Sequence, residues 1–179
     1  MKNKLTLFLL VLSFMFLQWS VSDASIVALR TSPDNTRAVF AHLNGKQIFG
    51  LMIWAESLEN SSFEGKLAIG SVALERNDYY RWGIKKICLQ PRSFSRFNPD
   101  GKRFQLIKKI ALNFDYYSKR MKGLQECYLV AEMLLNGSLP RHKLITNYNV
   151  KHFAAINCEN GWTCKMTIVA VLDGHKFLV

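Results

Sequence analysis

The sequence predicts an α+β domain, a helical body with a small antiparallel β-hairpin at its C-terminus. Three observations carry this. Phe49, Met52, Ile53 and Glu56 fall at i, i+3, i+4 and i+7, which is one face of a helix. Met121, Leu124, Tyr128, Ala131 and Leu135 recur at helical spacing and stop at Asn136-Gly137. Met166 to Leu172 is an apolar run rich in β-branched residues, Asp173-Gly174 is a two-residue turn, and His175 to Val179 returns, which is the pattern of a hairpin. Helices first and a small sheet last is the order of an α+β chain.

The chain opens with Lys2 and Lys4 before an apolar run from Leu5 to Leu17, broken only by Thr6 and Ser13. Ser22 and Ala24 stand at −3 and −1 of a cleavage site after Ala24. A basic start, a short apolar stretch and small residues at those positions predict a secretory signal over 1–24. The run is too short for a ~20-residue bilayer span, and no later stretch is long and apolar enough, so no integral membrane span is expected after cleavage. The expected location is secreted or periplasmic. The 179 residues hold 24 Lys plus Arg against 13 Asp plus Glu, a net charge of +11, with 49% hydrophobic and 21% charged residues. That balance is globular, and it excludes a large multidomain enzyme, a collagen-like chain and an acidic tail protein.

The elements follow in order. Thr31-Ser32-Pro33-Asp34-Asn35 is a turn and Asn44-Gly45 a breaker. A helix is expected from Lys46 to Leu58, then a loop over Glu59-Asn60-Ser61-Ser62. Ser61 or Ser62 caps a second helix running to about Arg76, with Glu64 favourable in its first turn. Its small residues Ala68, Gly70, Ser71 and Ala73 allow a neighbour to approach closely. Residues 77–105, aromatic, basic and punctuated by Pro91, Pro99 and Asp100-Gly101, read as loop with brief structure. A third helix is expected from about Tyr116 to Leu135.

Four cysteines in an exported chain favour disulfides, with three pairings open. A local staple between Cys158 and Cys164 leaves Cys88 with Cys127. The four His form no HxH or HExxH pattern, so no metal is expected. No Gly-rich phosphate loop, Ser-His-Asp set or supported Cys-His dyad is visible, and no cofactor is expected.

Glu56 is the residue with chemistry. A carboxyl in line with Phe49, Met52, Ile53 and Trp54 is poorly solvated, and desolvation raises its pKa. A Glu kept protonated near neutral pH can donate a proton to a leaving group, the role of the acid in glycoside cleavage. Tyr79, Tyr80 and Trp82 offer ring faces on which sugars stack.

The surrounding segments fall in a telling order. Ile53-Trp54-Ala55-Glu56, Phe63-Glu64-Gly65-Lys66-Leu67-Ala68, Ser71-Val72-Ala73-Leu74-Glu75-Arg76 and Leu89-Gln90-Pro91-Arg92-Ser93-Phe94-Ser95 resemble the catalytic domain of the spore cortex-lytic, or SleB/CwlJ-type, bacterial cell-wall hydrolases. Ala131 to Pro140 resembles that family's last helix and its exit. Thr146-Asn147-Tyr148-Asn149 stands where the family often has Thr-His-Tyr-His, and Gly174-His175-Lys176-Phe177 is similar to its Gly-x-His-x-Phe ending, one residue shorter. The resemblance covers roughly residues 46–179.

The resemblance implies a lysozyme-like α+β domain over 46–179, preceded by an extension over 25–45 and acting on the glycan strands of peptidoglycan. It implies a lytic transglycosylase in which Glu56 is the acid/base, with no cofactor. Gln90, Ser93, Phe94, Ser95, Thr146, Asn147, Tyr148 and Asn149 are its expected groove residues. The departures are specific. Ser57-Leu58 replaces the family's Ala-Arg, Glu75 stands where Asn usually precedes Arg76, and Asn147 and Asn149 replace both His. Asn hydrogen-bonds but exchanges no proton near neutral pH. A muramidase and a non-catalytic exported peptidoglycan binder are the alternative readings. Removing residues 1–24 takes two Lys and one Asp and leaves a charge of +10. For an exported protein that charge points to the wall itself and its anionic polymers, and no nucleic acid partner is expected.

Overall fold

The computed structural model describes residues 38–57, 61–91, 93–99, 101, 103–158 and 161–179. The expected signal over 1–24, the extension as far as residue 37, and Leu58, Glu59 and Arg92 lie outside these residues. His42–Val179 forms one unit, separate from the unit that ends at Ala41. In that first unit the described part is a short 3-10 turn, Ala38–Phe40.

Among the described residues, His42–Val179 holds seven α-helices followed by a three-stranded antiparallel sheet, a mixed α+β arrangement. The first helix, α1, spans Gly45–Glu56. Asn44 caps it: its side chain accepts from the Gln47 N–H at 2.9 Å, and the Gln47 side chain accepts from the Asn44 N–H at 2.9 Å. Ile48, Phe49, Leu51, Met52, Ile53 and Ala55 are all buried, so α1 is covered around nearly its whole circumference. Gly50 permits this, because a Cβ there would lie 2.9 Å from the Cα of Tyr128 on the sixth helix. Ser57 ends α1 in an extended conformation, its N–H and Oγ both donating to the Ile53 carbonyl at 2.9 and 2.6 Å.

The second helix, α2, spans Phe63–Tyr80, one turn beyond the expected end at Arg76. Arg141 holds that extra turn through Glu75 at 2.8 Å and Asp78 at 2.6 Å, a long-range contact with no local sequence signal. Gly70 sits where a Cβ would meet Leu134 at 2.7 Å and Ile53 at 3.0 Å, so the small residues of α2 do admit neighbours closely. The third helix, α3, is Ile84–Cys88, and a 3-10 turn covers Ser95–Phe97. The fourth, α4, is Phe104–Leu112, in a stretch for which no helix was expected. Phe104, Ile107, Ile110 and Ala111 are its buried stripe.

The single helix expected from Tyr116 to Leu135 is two: α5, Phe114–Ser118, and α6, Lys122–Leu135. Phe114 packs on Tyr128 with ring centroids 5.6 Å apart. In a continuous helix those residues would be about 21 Å apart at 1.5 Å per residue, so their contact requires the break, which Met121 makes by turning extended. The seventh helix, α7, is Lys143–Asn147.

The strands are β1 His152–Ala155, β2 Ile168–Leu172 and β3 His175–Leu178, in the order β1-β3-β2. The expected hairpin is β2–β3, joined by Asp173 and Gly174 with φ of 48° and 74°, as a type I′ turn requires. β1 has no local pattern of its own and forms by pairing Phe153 with Phe177. Phe177 then packs with Ala68 and Val72 of α2, Ile145 of α7 and Val150. Among the described residues no helix is long and apolar enough to cross a membrane.

The four cysteines are free thiols, which corrects the expected disulfides. Cys88 and Cys127 are buried on α3 and α6 among different neighbours, Cys88 near Arg76 and Cys127 hydrogen-bonded to Ser57. Burial pushes the Cys127 thiol up to about 12. Cys158 lines a cavity whereas Cys164 faces solvent.

The hairpin turn is clamped to the start of α2. The N–H and Oγ of Ser62 both donate to Asp173 Oδ2 at 2.7 Å, while the Ser62 Oγ accepts from the Gly65 N–H at 3.1 Å. A Cβ on Gly65 would lie 2.0 Å from that carboxylate oxygen. Gly65→Ala is therefore expected to break the clamp and lower unfolding stability by about 1–3 kcal/mol, read as a lower urea midpoint with an unchanged slope.

Candidate functional site

Glu56 is the last residue of α1, at the point where the buried helix meets a cavity of about 560 Å3. Only 6% of its surface is exposed. One carboxylate oxygen accepts from the backbone N–H of Arg96 at 3.0 Å, and the other accepts from the Ser95 Oγ at a long 3.4 Å. Burial pushes the carboxyl above the ordinary glutamate value. The Arg96 N–H and charge, the Ser95 hydroxyl and the Arg76 charge oppose burial without overcoming it. The carboxyl thus holds its proton more tightly than an ordinary glutamate and keeps two hydrogen-bonding groups at its oxygens.

The segment after α3 is shaped by Arg76, itself buried on α2. Its Nε donates to the Lys151 carbonyl at 2.6 Å and its Nη1 to the Ser93 carbonyl at 3.0 Å, and the guanidinium lies 4.9 Å from the centroid of the Phe94 ring. One cation therefore ties the Gln90–Ser95 segment to the chain entering β1. The Ser93 Oγ donates to the Gln90 side chain at 2.9 Å, closing that segment on itself. Phe94 is buried yet forms cavity wall, so core and lining are one role here.

The sheet supplies the far wall. The imidazole of His175 bonds to the main chain of Asp173 and of Glu56, and burial lowers its pKa. His152, on β1, lies 5.9 Å from the Trp162 ring, and its pKa is lowered by burial and by the charges of Arg76 and Lys151. Both imidazoles thus favour the neutral form, which accepts or donates a hydrogen bond without adding charge.

Of the residues expected at the groove, Gln90, Ser93, Phe94 and Ser95 line the cavity with Glu56. Thr146, Asn147, Tyr148 and Asn149 do not: they lie at and just after the end of α7, where Ile145 and Val150 on either side turn into the core under Phe177. Glu64 stands in the first turn of α2, with His142 Nε2 3.3 Å away. Arg76, Arg96, His152, Trp162 and His175 line the cavity without having been assigned to it from sequence. For His175 a signal existed: it directly follows the hairpin turn and shares strand parity with Phe177, the residue facing α2. For Arg76 and His152 the placement depends on contacts more than 70 residues apart in sequence, such as Arg76 to Lys151.

Among the described residues lining the cavity, Glu56 is the only carboxylate, set against Arg76 and Arg96. No group of three or more His, Cys, Asp or Glu stands together among the described residues in a way that would hold a metal ion. Comparison of the chain with protein-family models, curated proteins and solved structures gave no match.

Because the Glu56 pKa is raised in the folded chain, the fold binds that proton more tightly than the unfolded chain does. Its contribution to stability is complete below the unfolded carboxyl value and is lost as pH rises through the folded value. Glu56→Gln removes this term. Denaturant unfolding of both proteins across pH is expected to show the variant gaining stability over the wild type as pH rises from acid to neutral. His175, whose lowered pKa acts in the opposite sense, is present in both and cancels.

Proposed function

We propose that the protein is an exported, lysozyme-like peptidoglycan-cleaving enzyme, acting between N-acetylmuramic acid and N-acetylglucosamine as a lytic transglycosylase. The observation that carries this reading is the buried Glu56 carboxyl, the only carboxylate among the described lining residues, raised in pKa and opening onto a cavity with two arginines and aromatic walls. The resemblance of Ile53-Trp54-Ala55-Glu56 and Gln90-Pro91-Arg92-Ser93-Phe94-Ser95 to the SleB/CwlJ-type hydrolases supports the same residues.

In this reading the Glu56 carboxylic acid protonates the glycosidic oxygen, and the bond from that oxygen to the muramic acid C1 breaks. The positive charge spreads over C1 and the ring oxygen. The Glu56 carboxylate, held by the Arg96 N–H, then takes the proton of the C6 hydroxyl as O6 bonds to C1. The glycan gains a 1,6-anhydro end and the acid is regenerated. A two-carboxylate hydrolase would need a second Asp or Glu across the bond, and the described lining offers none, which favours the transglycosylase over the muramidase. The two Asn-for-His replacements, Asn147 and Asn149, fall outside the cavity lining, whereas His152 and His175 lie within it. The non-catalytic reading rests on these replacements and on the missing Arg after Glu56, where Ser57-Leu58 stands. The basic excess fits electrostatic attraction to wall polymers that carry carboxylates and phosphates.

Purified protein incubated with sacculi is expected to release muropeptides with 1,6-anhydro ends, seen by mass spectrometry. Glu56→Gln should lower that release by about 10²–10⁴-fold. Reducing ends instead of anhydro ends would indicate hydrolysis, and undiminished release by the variant would remove Glu56 from the chemistry. With Glu56 as acid, the rate is expected to fall as pH rises through its elevated value, since the proton to be donated is lost.

A further inference from the structure

The last turn of α2 carries an exposed cluster of large aromatic rings. Tyr79, Tyr80 and Trp82 are 64%, 42% and 41% exposed, where side chains of this size usually find cover. The chain turns here through Arg81, a non-glycine residue in the left-handed region with φ of 55°, its N–H donating to the Asn77 carbonyl at 2.7 Å. That turn lays Trp82 on Tyr80 with ring centroids 4.8 Å apart and planes 26° from parallel. Tyr79 meets Tyr80 edge-on at 4.9 Å. Two ammonium groups attend the cluster: Lys86 lies 4.6 Å from the Trp82 centroid and Lys151 4.1 Å from that of Tyr79. The nearby carboxylate of Asp78 is taken up by Arg141 at 2.6 Å, so it leaves the ledge positive.

The ledge is continuous with the cavity. Tyr80 belongs to both, and Lys151, whose ammonium rests over Tyr79, gives its carbonyl to Arg76 inside. A stacked aromatic pair offers a flat face of negative quadrupole to the weakly positive C–H groups of a pyranose, and it does so with little side-chain entropy left to lose. Lysines seated over these rings match carboxylate substituents on the same polymer.

We propose that the Tyr79–Tyr80–Trp82 ledge is an outer binding site for the continuing glycan strand, holding sugars beyond the reacting bond while Lys86 and Lys151 meet the carboxylates those sugars carry. The proposal rests on the glycan reading of the cavity. It makes the protein a reader of long, acid-substituted strands rather than of short fragments.

Binding by the Glu56→Gln protein, which leaves the glycan intact, separates the two claims. The probes are long peptide-bearing peptidoglycan strands and a tetrasaccharide fragment of the same polymer. The expected result is about tenfold tighter binding of the long strands, reduced to near parity when Trp82→Ala is added. Trp82 is exposed, and an unchanged melting midpoint checks that the fold is intact. Lys86→Gln, which keeps every ring, is expected to weaken long-strand binding several-fold and to flatten its salt dependence. Retained long-strand preference in both variants would overturn the ledge alone. Absence of binding to either probe would overturn the ledge together with the glycan reading.

Discussion

A carboxyl group held out of water at the end of a buried helix is the constraint around which this fold is arranged. Glu56 comes last in α1, a helix apolar around nearly its whole surface, so its side chain has no route to bulk solvent along its own element. Two remote pieces of chain meet it instead. The turn after α3 brings the Arg96 N–H and the Ser95 hydroxyl to its two oxygens, and β3 brings the His175 ring to its main chain. The hairpin reaches that place because Asp173 clamps its turn to Ser62 at the start of α2. A charge left there without these donors would be costly, so helix, turn and sheet must all be in place for the site to exist.

Much of this was legible locally. The i, i+3, i+4, i+7 face that includes Glu56 predicted both α1 and a desolvated carboxyl, and the Asp173-Gly174 turn between apolar runs predicted the hairpin. Other features were not. α4 follows a clear period through Phe104, Ile107 and Ile110, but lies in a short, basic stretch between turn residues. β1 is four residues stabilised by its partner β3. The break between α5 and α6 is dictated by an aromatic contact between Phe114 and Tyr128 that only the folded chain makes. The groove role expected of Thr146 to Asn149 came from motif order, which says nothing about direction in space; packing of Ile145 and Val150 beneath Phe177 sets the direction.

Electrostatics link the site to the whole chain. A net charge of +11 says only that an anionic partner is favoured. The structure narrows this by placing Arg76 and Arg96 in the cavity and Lys86 and Lys151 on the adjoining aromatic ledge. Arg76 serves two purposes at once. It fixes the backbone on both sides of the cavity, and its charge moderates the rise in the Glu56 pKa. A site built this way can hold an acid in its protonated form and still tolerate the anion it becomes.

The central claim is that burial holds the Glu56 carboxyl above the ordinary glutamate value. Carbon-detected NMR titration of the side-chain carboxyls, with Glu56→Gln identifying the resonance, reads this directly. A Glu56 carboxyl that titrates above the ordinary glutamate range agrees with the account. One that titrates within or below that range would contradict it.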